Sequence, residues 1–283
     1  MNDVPTITGA TRLYAVLGDP VTQVQAPGLL NPLFARLGVA AVLLPVHVRP
    51  EQLGAVVRGL RGVDNLDGLL VTVPHKTAIC RYADRVSRTV TIAGSANALR
   101  RESDGSWSAD NFDGAGFVAG LTAAGHTVVD RRVTLVGAGG AGSAIAAALL
   151  SAGVGRLSVC DTDAGRLGGL LHRLGAYWPG RVVGSGEPDL DGVDIAVNAT
   201  ALGLRPGDAL PFPPRALPPG AVVADIIMQP RETALLRTAA ALGHRVHPGR
   251  HMLEHQIDAY HAFFRLPAAP AAANVGEGLA ARA

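Results

Sequence analysis

Cysteine and charged residues are both scarce in this chain of 283 residues. There are two cysteines, and charged side chains make up 17% of the sequence. Cys80 and Cys160 are too few for a disulfide framework or a closed zinc site, and both lie in apolar stretches. The histidines show no metal-ligand spacing. The sequence therefore predicts a reduced, cytoplasmic protein without a bound metal.

Nucleic acid and membranes are not expected as partners. The formal net charge is only +2, and no basic cluster with interleaved aromatic residues is present. No apolar run reaches the length of a membrane span, since the run from Ala144 to Leu150 is bounded by serines. The first ten residues lack the basic and apolar segments of a signal peptide. With 48% hydrophobic residues, the chain should be globular and bury a substantial core.

The chain is organised around the stretch from Arg132 to Asp163. A short apolar run at 133–136 is typical of a buried parallel strand. Glycines then follow at 137, 139 and 142, in G-x-G-x-x-G spacing, and lead into an Ala- and Leu-rich helical stretch. A second apolar run ends on Asp161, which lies near the expected offset of about 20 residues after the glycines.

Each part of this pattern has its own physical reason. Gly137 permits a tight turn, Gly139 lets the backbone approach a pyrophosphate, and Gly142 lets the helix pack closely on the sheet. The helix N-terminus offers free N–H groups to phosphates, and Asp161 can accept hydrogen bonds from ribose hydroxyls. The pattern predicts a Rossmann dinucleotide-binding unit. The alternative is a glycine-rich turn in an unrelated α/β unit.

Strands and helices also alternate before the glycine motif. Strands are predicted at 13–17, 41–48 and 68–73, helices at 28–37, 52–60 and 77–86, and a hairpin joins 96–100 to Trp107 around Asp104-Gly105. This alternation predicts a separate α/β domain ahead of the nucleotide-binding unit. A last helix is predicted at 251–264.

Short motifs across residues 14 to about 264 resemble the shikimate dehydrogenase family, including its quinate-oxidising relatives. They follow the order of that family and are Gly18-Asp19-Pro20 with Pro27, Val71-Thr72-Val73-Pro74-His75-Lys76, Gly94-Ser95-Ala96-Asn97, Asn111-Phe112-Asp113-Gly114, Gly137-Ala138-Gly139-Gly140-Ala141, Asn198-Ala199-Thr200, Asp225 with Pro230 and Thr233, and Gly249 with Met252-Leu253 and Gln256.

The resemblance implies an α/β protein of two domains with the active site in the cleft between them. An N-terminal substrate domain (1–112) is completed by a C-terminal helix (250–283), and a Rossmann domain occupies 113–249. A homodimer is compatible with it. The implied site residues are the catalytic pair Lys76 and Asp113, the substrate contacts Thr72, Asn97 and Gln256, and the cofactor contacts Gly137, Gly139, Gly140, Ala141, Gly142, Asp161, Asn198 and Thr200.

The chemistry of the implied pair agrees with this role. Oxidation of a secondary alcohol needs a base for the hydroxyl proton and a nearby hydride acceptor. A lysine shielded in a cleft can move that proton, and Asp113 would orient the hydroxyl and hold the ammonium group. The alternatives are an exposed lysine at a helix start for Lys76 and a helix N-cap for Asp113.

The segment that would hold the substrate carboxylate departs from the family. Val24 and Ala26 stand where the family usually has two serines, and Met228 replaces its tyrosine. Each lost donor would cost roughly 1–3 kcal/mol if the carboxylate stays unpaired. Gln23 and Gln25 are the residues that could compensate.

Three functions remain open at this point. The leading hypothesis is an NAD-dependent oxidoreductase that interconverts a secondary alcohol and a ketone on a shikimate-like or other small cyclic hydroxylated substrate. A conventional shikimate or quinate dehydrogenase with a rearranged carboxylate clamp is the second. A non-catalytic nucleotide-binding regulator is the third, although it would need neither Lys76 nor Asp113.

NAD is expected to be preferred over NADP. Asp161 would repel a 2′-phosphate, and the residues that follow it, Thr162-Asp163-Ala164, carry no positive charge. Arg166 is the nearest cation. Comparable kcat/KM values with the two cofactors would contradict this expectation.

Overall fold

A computed structural model describes residues 6–268, which form two six-stranded sheets with helices on both faces. Residues 269–283 of the predicted C-terminal segment lie outside the described part of the chain. Among residues 6–268, no helix combines the length and the apolar character needed to cross a membrane. The same residues contain no group of three or more potential ligands placed to hold a metal ion.

The first sheet is mixed. Its strands are β1 (Arg12–Gly18), β2 (Ala41–His47), β3 (Leu66–Val71), β4 (Arg85–Val86), β5 (Ala98–Arg101) and β6 (Trp107–Asp110). They lie in the order β2-β1-β3-β5-β6-β4. β1 runs parallel to β2 and β3, whereas β5 is antiparallel to β3 and β6. The predicted hairpin around Asp104-Gly105 is confirmed as the β5–β6 pair.

The second sheet is entirely parallel. It contains β7 (Arg132–Val136), β8 (Arg156–Cys160), β9 (Val182–Ser185), β10 (Ile195–Asn198), β11 (Val222–Asp225) and β12 (Arg245–His247). The order β9-β8-β7-β10-β11-β12 is that of the doubly wound Rossmann fold, in which the chain reverses direction between its first and fourth strands. The glycine turn follows β7, beside that reversal, where such folds bind ligands.

Nine helices accompany the sheets within the described residues. They are α1 (Ala26–Arg36), α2 (Leu53–Arg61), α3 (Arg88–Ala93), α4 (Asp113–Ala123), α5 (Gly140–Ser151), α6 (Ala164–Gly175), α7 (Ala234–Ala241), α8 (Arg250–Glu254) and α9 (Ile257–Phe263).

Strand β1 shows how the first sheet is buried on both faces. Tyr14 and Val16 belong to an apolar cluster with α1 and the C-terminal helices, whereas Ala15 and Leu17 belong to a cluster on the opposite face. Successive side chains of a strand point to opposite faces, so a strand covered on both sides is apolar throughout. This explains the continuous apolar runs that predicted buried strands.

Two helix predictions are wrong in detail. Residues 77–86 form a 3₁₀ turn, Ala78–Tyr82, and then β4, because Asp84 N–H bonds the carbonyl of Trp107 (2.8 Å) and draws the chain into the sheet. Helix α3 was not predicted, although Ser87 caps its start and Gly94 ends it with a φ of 69°, the usual start and stop signals. The last predicted helix is divided into α8 and α9.

The C-terminal helix returns to the first sheet at a glycine. A Cβ atom on Gly68 of β3 would lie 2.4 Å from the ring of Phe264, so a side chain there would displace the ring. Phe264 also meets Tyr14 edge to face, with ring centroids 5.0 Å apart. The C-terminal helix α9 and the residue after it therefore belong to the hydrophobic core of the first sheet.

Helices α4 and α8 carry the chain between the two sheets, and they pack against each other. Histidines line this contact. His247 is buried, stacks on His251 with ring centroids 5.0 Å apart, and meets the edge of Phe117. Burial and the nearby His251, His126 and His255 lower the pKa of His247 to about 4. Its imidazole is therefore neutral in the folded protein near pH 7.

We expect His247 to make the folded protein sensitive to acid. Its folded pKa lies below the ordinary value of 6.5, so the unfolded chain binds the proton first, and stability is lost as the pH falls from about 6.5 to about 4. His247→Leu should flatten this part of the curve, by on the order of 2 kcal/mol at pH 4 relative to pH 7.

The measurement is the free energy of unfolding in urea between pH 4 and pH 7. His172→Leu, on the exposed face of α6, serves as the control and should leave the pH dependence unchanged. Parallel curves for the wild type and His247→Leu would show that His247 titrates alike in both states.

Candidate active site

The carboxyl ends of strands from both sheets border one cavity of about 260 Å³. From the first sheet and the C-terminal helices it is lined by Thr72, Lys76, Asn97, Asp113, Gln256 and Tyr260, and from the second by Gly139, Gly140, Ala141, Ala199, Thr200 and Met228. Carboxyl ends of parallel strands are where open α/β sheets bind ligands. Most of the predicted site residues therefore meet in one place.

Lys76 and Asp113 form an ion pair at the centre of this cavity. Lys76 Nζ donates to Asp113 Oδ2 at 2.6 Å, and their side chains are 13% and 3% exposed. Lys76 follows β3 by a short turn, and Asp113 is the first residue of α4, whose N-cap is Phe112. Neither alternative drawn from the sequence applies, because Lys76 is shielded and Asp113 is not the N-cap.

Lys76 is the single lysine of the sequence, and the other 24 basic side chains counted with it are arginines. Arginine serves well in surface ion pairs, but it holds its proton at any pH that a protein tolerates. Lysine can release one. A single lysine at this position, in a chain whose other Lys and Arg residues are all arginine, is a sequence signal for proton transfer that the motifs do not contain.

A closed network of amides holds the second oxygen of Asp113. Asn97 Nδ2 lies 3.0 Å from Asp113 Oδ1 and 3.0 Å from Gln256 Oε1, and Gln256 Nε2 reaches the same Asp113 oxygen at 3.4 Å. Asn97 Oδ1 in turn accepts from the backbone N–H of Phe112. The predicted substrate contacts Asn97 and Gln256 thus also fix the carboxylate.

Tyr260 was missed from the sequence and belongs to this network. Its hydroxyl donates to Gln256 Oε1 (2.5 Å) and lies 3.2 Å from Asn97 Nδ2. Burial, and then the charge of Asp113, raise the pKa of Tyr260 well above its usual range, so it stays a donor. Phe112 packs edge to face on the same ring. No motif marked Tyr260, although it lies one helical turn after Gln256, the residue to which its hydroxyl donates.

The glycine turn after β7 has the shape that a dinucleotide requires. Gly137 has a φ of +109°, and a Cβ on Gly142 would lie 1.9 Å from the carbonyl oxygen of Gly137, so both positions need glycine. Space around Gly139 is open, and the start of α5 has no side-chain cap. Its free N–H groups face the cavity and fit a pyrophosphate.

Asp161 is turned towards its own backbone. Its carboxylate accepts from Ala138 N–H (2.7 Å) and Asp163 N–H (2.9 Å) and is almost buried. Arg166, on α6, lies 3.4 Å from the same carboxylate and is 52% exposed. The carboxylate that was expected to repel a 2′-phosphate is therefore compensated by two N–H donors and a guanidinium.

Asn198 supports the site from behind instead of lining the cavity. It is fully buried, donates to Leu202 O and Asp225 Oδ1, and accepts from the N–H and hydroxyl of Thr200. Burial raises the pKa of Asp225 to about 6. Thr200 does border the cavity. Asn198 thus shapes the loop that presents Thr200.

The other wall of the cavity is apolar. Val24, Ala26, Leu70 and Met228 line it together with Thr72, and among the described lining residues Lys76 is the only Lys, Arg or His. Its charge is already paired with Asp113. Among the described lining residues, Thr72, Thr200 and Tyr260 carry hydroxyls, and those of Thr200 and Tyr260 already donate to Asn198 and Gln256.

Gln23 and Gln25 border the cavity, and one N–H of each amide is engaged within their own loop. Gln23 Nε2 donates to the carbonyl of Pro20 (2.8 Å), and Gln25 Nε2 donates to that of Gln23 (3.1 Å). Gln23 Oε1 is buried without a partner among the described residues, but an oxygen cannot donate to a carboxylate. Each glutamine thus uses one N–H within its own loop and keeps a second N–H as a donor.

A Rossmann sheet whose glycine turn faces a buried lysine–carboxylate pair of a second α/β sheet defines an NAD(P)-dependent dehydrogenase. Comparison with known sequences gives the family. The profile of the shikimate dehydrogenase substrate binding domain matches residues 16–99. A shikimate dehydrogenase (NADP(+)) from Rubrobacter xylanophilus is 42% identical over 259 residues, which cover 89% of this chain and 90% of that protein. The chain belongs to the shikimate dehydrogenase family, whose members act on CH–OH groups.

Solved structures agree with this assignment. The crystal structure of shikimate dehydrogenase from Aquifex aeolicus has a TM-score of 0.81 and 29% identity, covering 91% of this chain and 94% of that one. A ligand-free 5-ketofructose reductase from a Gluconobacter strain has a TM-score of 0.76 and 26% identity, covering 93% and 96%. The fold is therefore that of both proteins.

The expected preference for NAD is wrong. Curated relatives between 35 and 42% identical to this chain are named shikimate dehydrogenase (NADP(+)). The expectation treated Asp161 as a free charge facing the ribose, whereas its carboxylate caps the glycine turn and lies beside Arg166. An acid at the end of the second strand does not repel a phosphate once its charge is compensated.

We expect Lys76→Ala to lower kcat by at least about 100-fold, the scale of a general acid–base group. The dissociation constant of the dinucleotide, measured by fluorescence in the absence of substrate, should change little, because the glycine turn stays intact.

Lys76→Arg is the matched variant, because it keeps the positive charge beside Asp113 but cannot give up a proton. Its loss of kcat should equal that of Lys76→Ala. Near-normal turnover by Lys76→Arg would mean that the residue supplies charge alone.

Proposed function

We propose that this protein transfers a hydride between NADP(H) and the secondary alcohol or ketone of a small polyhydroxylated ring, with Lys76 and Asp113 as the proton-transfer pair. The observation that carries the proposal is the 2.6 Å contact between Lys76 Nζ and Asp113 Oδ2 in a cavity shared by both sheets. Residues 1–112 with 250–283 would form the substrate domain, residues 113–249 the nucleotide domain, and a homodimer remains a prediction.

The roles of the protein groups follow from their donors and charges. When a ketone is reduced, the Lys76 ammonium would donate a proton to the carbonyl oxygen, and solvent would return one to the amine. In the oxidation direction, neutral Lys76 would take the hydroxyl proton. Asp113 would hold the nitrogen in line, while Asn97 and Gln256 keep the carboxylate in place. The bound dinucleotide supplies or accepts the hydride.

The apolar wall of the cavity favours a substrate whose carboxylate, if present, contributes little to the binding free energy. The Rubrobacter relative is named for shikimate, which carries a ring carboxylate, so a shikimate-like ring is the favoured substrate. Val24, Ala26 and Met228 cannot donate hydrogen bonds from their side chains. A desolvated carboxylate without donors is costly. The ring hydroxyls, and not the carboxylate, would then supply most of the recognition.

Two other functions fit this site less well. A conventional shikimate or quinate dehydrogenase would need donors beside Val24 and Ala26, where Gln23 and Gln25 each have one N–H already engaged in their own loop. The 5-ketofructose reductase with this fold is named for an uncharged sugar, which agrees with a site that lacks a carboxylate clamp. A regulator without turnover is disfavoured, because it would not need a buried lysine–carboxylate pair.

Comparison of shikimate with its methyl ester tests the substrate assignment. The ester keeps the ring and removes the charge, so the wild type should use it with kcat/KM at least equal to that for shikimate. Val24→Ser with Ala26→Ser should raise kcat/KM for shikimate by about 10-fold, the value of one added hydrogen bond to a charged group, and should leave the ester unchanged.

Val24→Ala is the control for size, because it opens the same space without adding a hydroxyl. If the wild type already favours shikimate strongly over the ester, and the double replacement improves nothing, the carboxylate is held by groups other than these.

The use of NADP(H) rests on Arg166, the exposed cation in the first turn of α6, the helix that follows β8. We expect Arg166→Ala to raise KM for NADP⁺ by about 10-fold while changing KM for NAD⁺ little, since only NADP⁺ carries the 2′-phosphate that a guanidinium binds. Arg156→Ala, at the opposite end of the same strand, is the matched control. Equal effects of Arg166→Ala on both cofactors would place the phosphate elsewhere.

A further inference from the structure

Ser95 connects the two sheets beside the active site. It lies in the turn between α3 and β5 and is 0% exposed. Its hydroxyl donates to the carbonyl oxygen of Gly140 at 2.6 Å, and Gly140 is the first residue of α5, in the glycine turn of the second sheet. One side chain of the substrate half thus holds the loop that would bind the dinucleotide.

The same turn is tied to the backbone of both members of the proton-transfer pair. Asn111 Nδ2 lies 2.9 Å from Ser95 Oγ, and Asn111 Oδ1 accepts from the N–H of Asp113 at 3.0 Å. The N–H of Ala96 donates to the carbonyl of Lys76 at 2.8 Å. Ser95 is therefore linked through Asn111 to the backbone of Asp113, and its neighbour Ala96 is bonded to the backbone of Lys76.

Packing leaves little slack at this contact. A Cβ on Gly140 would lie 2.5 Å from the Cβ of Lys76, so the stem of the lysine rests against the glycine turn. The Ser95–Gly140 hydrogen bond and the packing of Lys76 on Gly140 therefore both fix the distance between Lys76 and the glycine turn.

A second contact fastens the helix that precedes Ser95. Arg173 of α6 donates to the carbonyls of Ile92 and Ala93, each at 3.0 Å, at the end of α3. These are carbonyls that a helix end leaves without internal partners, and a cation there is favourable. The end of α3 and the turn after it are thus hydrogen-bonded to α6 through Arg173 and to the start of α5 through Ser95.

We propose that Ser95 is a positioning residue that sets the separation between the proton-transfer pair and the dinucleotide-binding turn. This inference rests on the proposed function. Replacement by alanine would leave the Gly140 carbonyl and the Asn111 amide with one partner fewer and would let the turn move relative to Lys76. Hydride transfer is sensitive to such displacements, since about 1 Å can cost on the order of 100-fold.

The test compares Ser95→Ala with Ser158→Ala. Ser158 is also buried, on β8, but its hydroxyl has no hydrogen-bond partner among the described residues, so the control removes the same atom without removing a bridge. Ser95→Cys keeps the size and has a weaker donor, and should give an intermediate result.

The first readout needs no turnover. In the ligand-free protein, amide hydrogen exchange of a peptide covering residues 137–143 should accelerate by about fivefold in Ser95→Ala, the scale of one lost hydrogen bond. The same peptide in Ser158→Ala should exchange as in the wild type.

The second readout is kinetic. Reduction of the ketone formed from shikimate, with NADPH dideuterated at C4 of the nicotinamide, should show a kcat lowered by about 10- to 100-fold and a larger primary isotope effect in Ser95→Ala. The dissociation constant of NADPH should stay within about twofold, since its predicted contacts lie within the second sheet. A loss of stability alone would not change the isotope effect.

The proposal would be overturned if Ser95→Ala and Ser158→Ala showed the same exchange rate, kcat and isotope effect. An unchanged exchange rate at 137–143 would do so even if kcat fell. If the wild type reduces no ketone, the proposed function fails, but the exchange measurement still decides whether Ser95 holds the glycine turn.

Discussion

The buried pair of Lys76 and Asp113 is the constraint on which the rest of this structure depends. Two charges taken out of water are costly unless geometry and further hydrogen bonds compensate them. The compensation comes from Asn97 and Gln256, which reach Asp113 from the turn before β5 and from the C-terminal segment. Residues at sequence positions far apart must therefore converge, and the path of the chain, from the first sheet to the second and back, brings them together.

Glycines make this convergence sterically possible. A Cβ on Gly114 would lie 2.2 Å from the carbonyl of Ala144, and one on Gly116 would lie 2.4 Å from that of Met252. Helix α4 can therefore lie directly against α5 and α8. The pair of charges stays shielded because helices from both halves of the molecule approach at backbone distance.

The sequence predicted the parts of the site that depend on local chemistry. The glycine turn, the two-sheet fold and the family are confirmed, because turn glycines and apolar strands leave their mark within a few residues. Tyr260 and the bridge from Ser95 were not predictable in this way. Tyr260 lies one turn from the predicted Gln256, but its contact with Asn97 spans 163 residues, and the bond from Ser95 to Gly140 spans 45. Asp161 shows a related limit. It lies at the end of β8 as predicted, but its carboxylate points to the glycine turn and to Arg166, and this direction decides its electrostatic effect.

The contact of Phe264 with Gly68 and Tyr14 also affects the order in which the molecule can assemble. A ribosome releases the first sheet early, yet the core on one face of that sheet lacks Tyr260 and Phe264 until the last helix has emerged. The second sheet is continuous between β7 and β12, and Met252 is the one described residue after β12 in its two apolar clusters. Domains usually fold from the N-terminus during synthesis. Here the middle of the chain can complete its core first, and the N-terminal half waits for the end of translation with an apolar face uncovered.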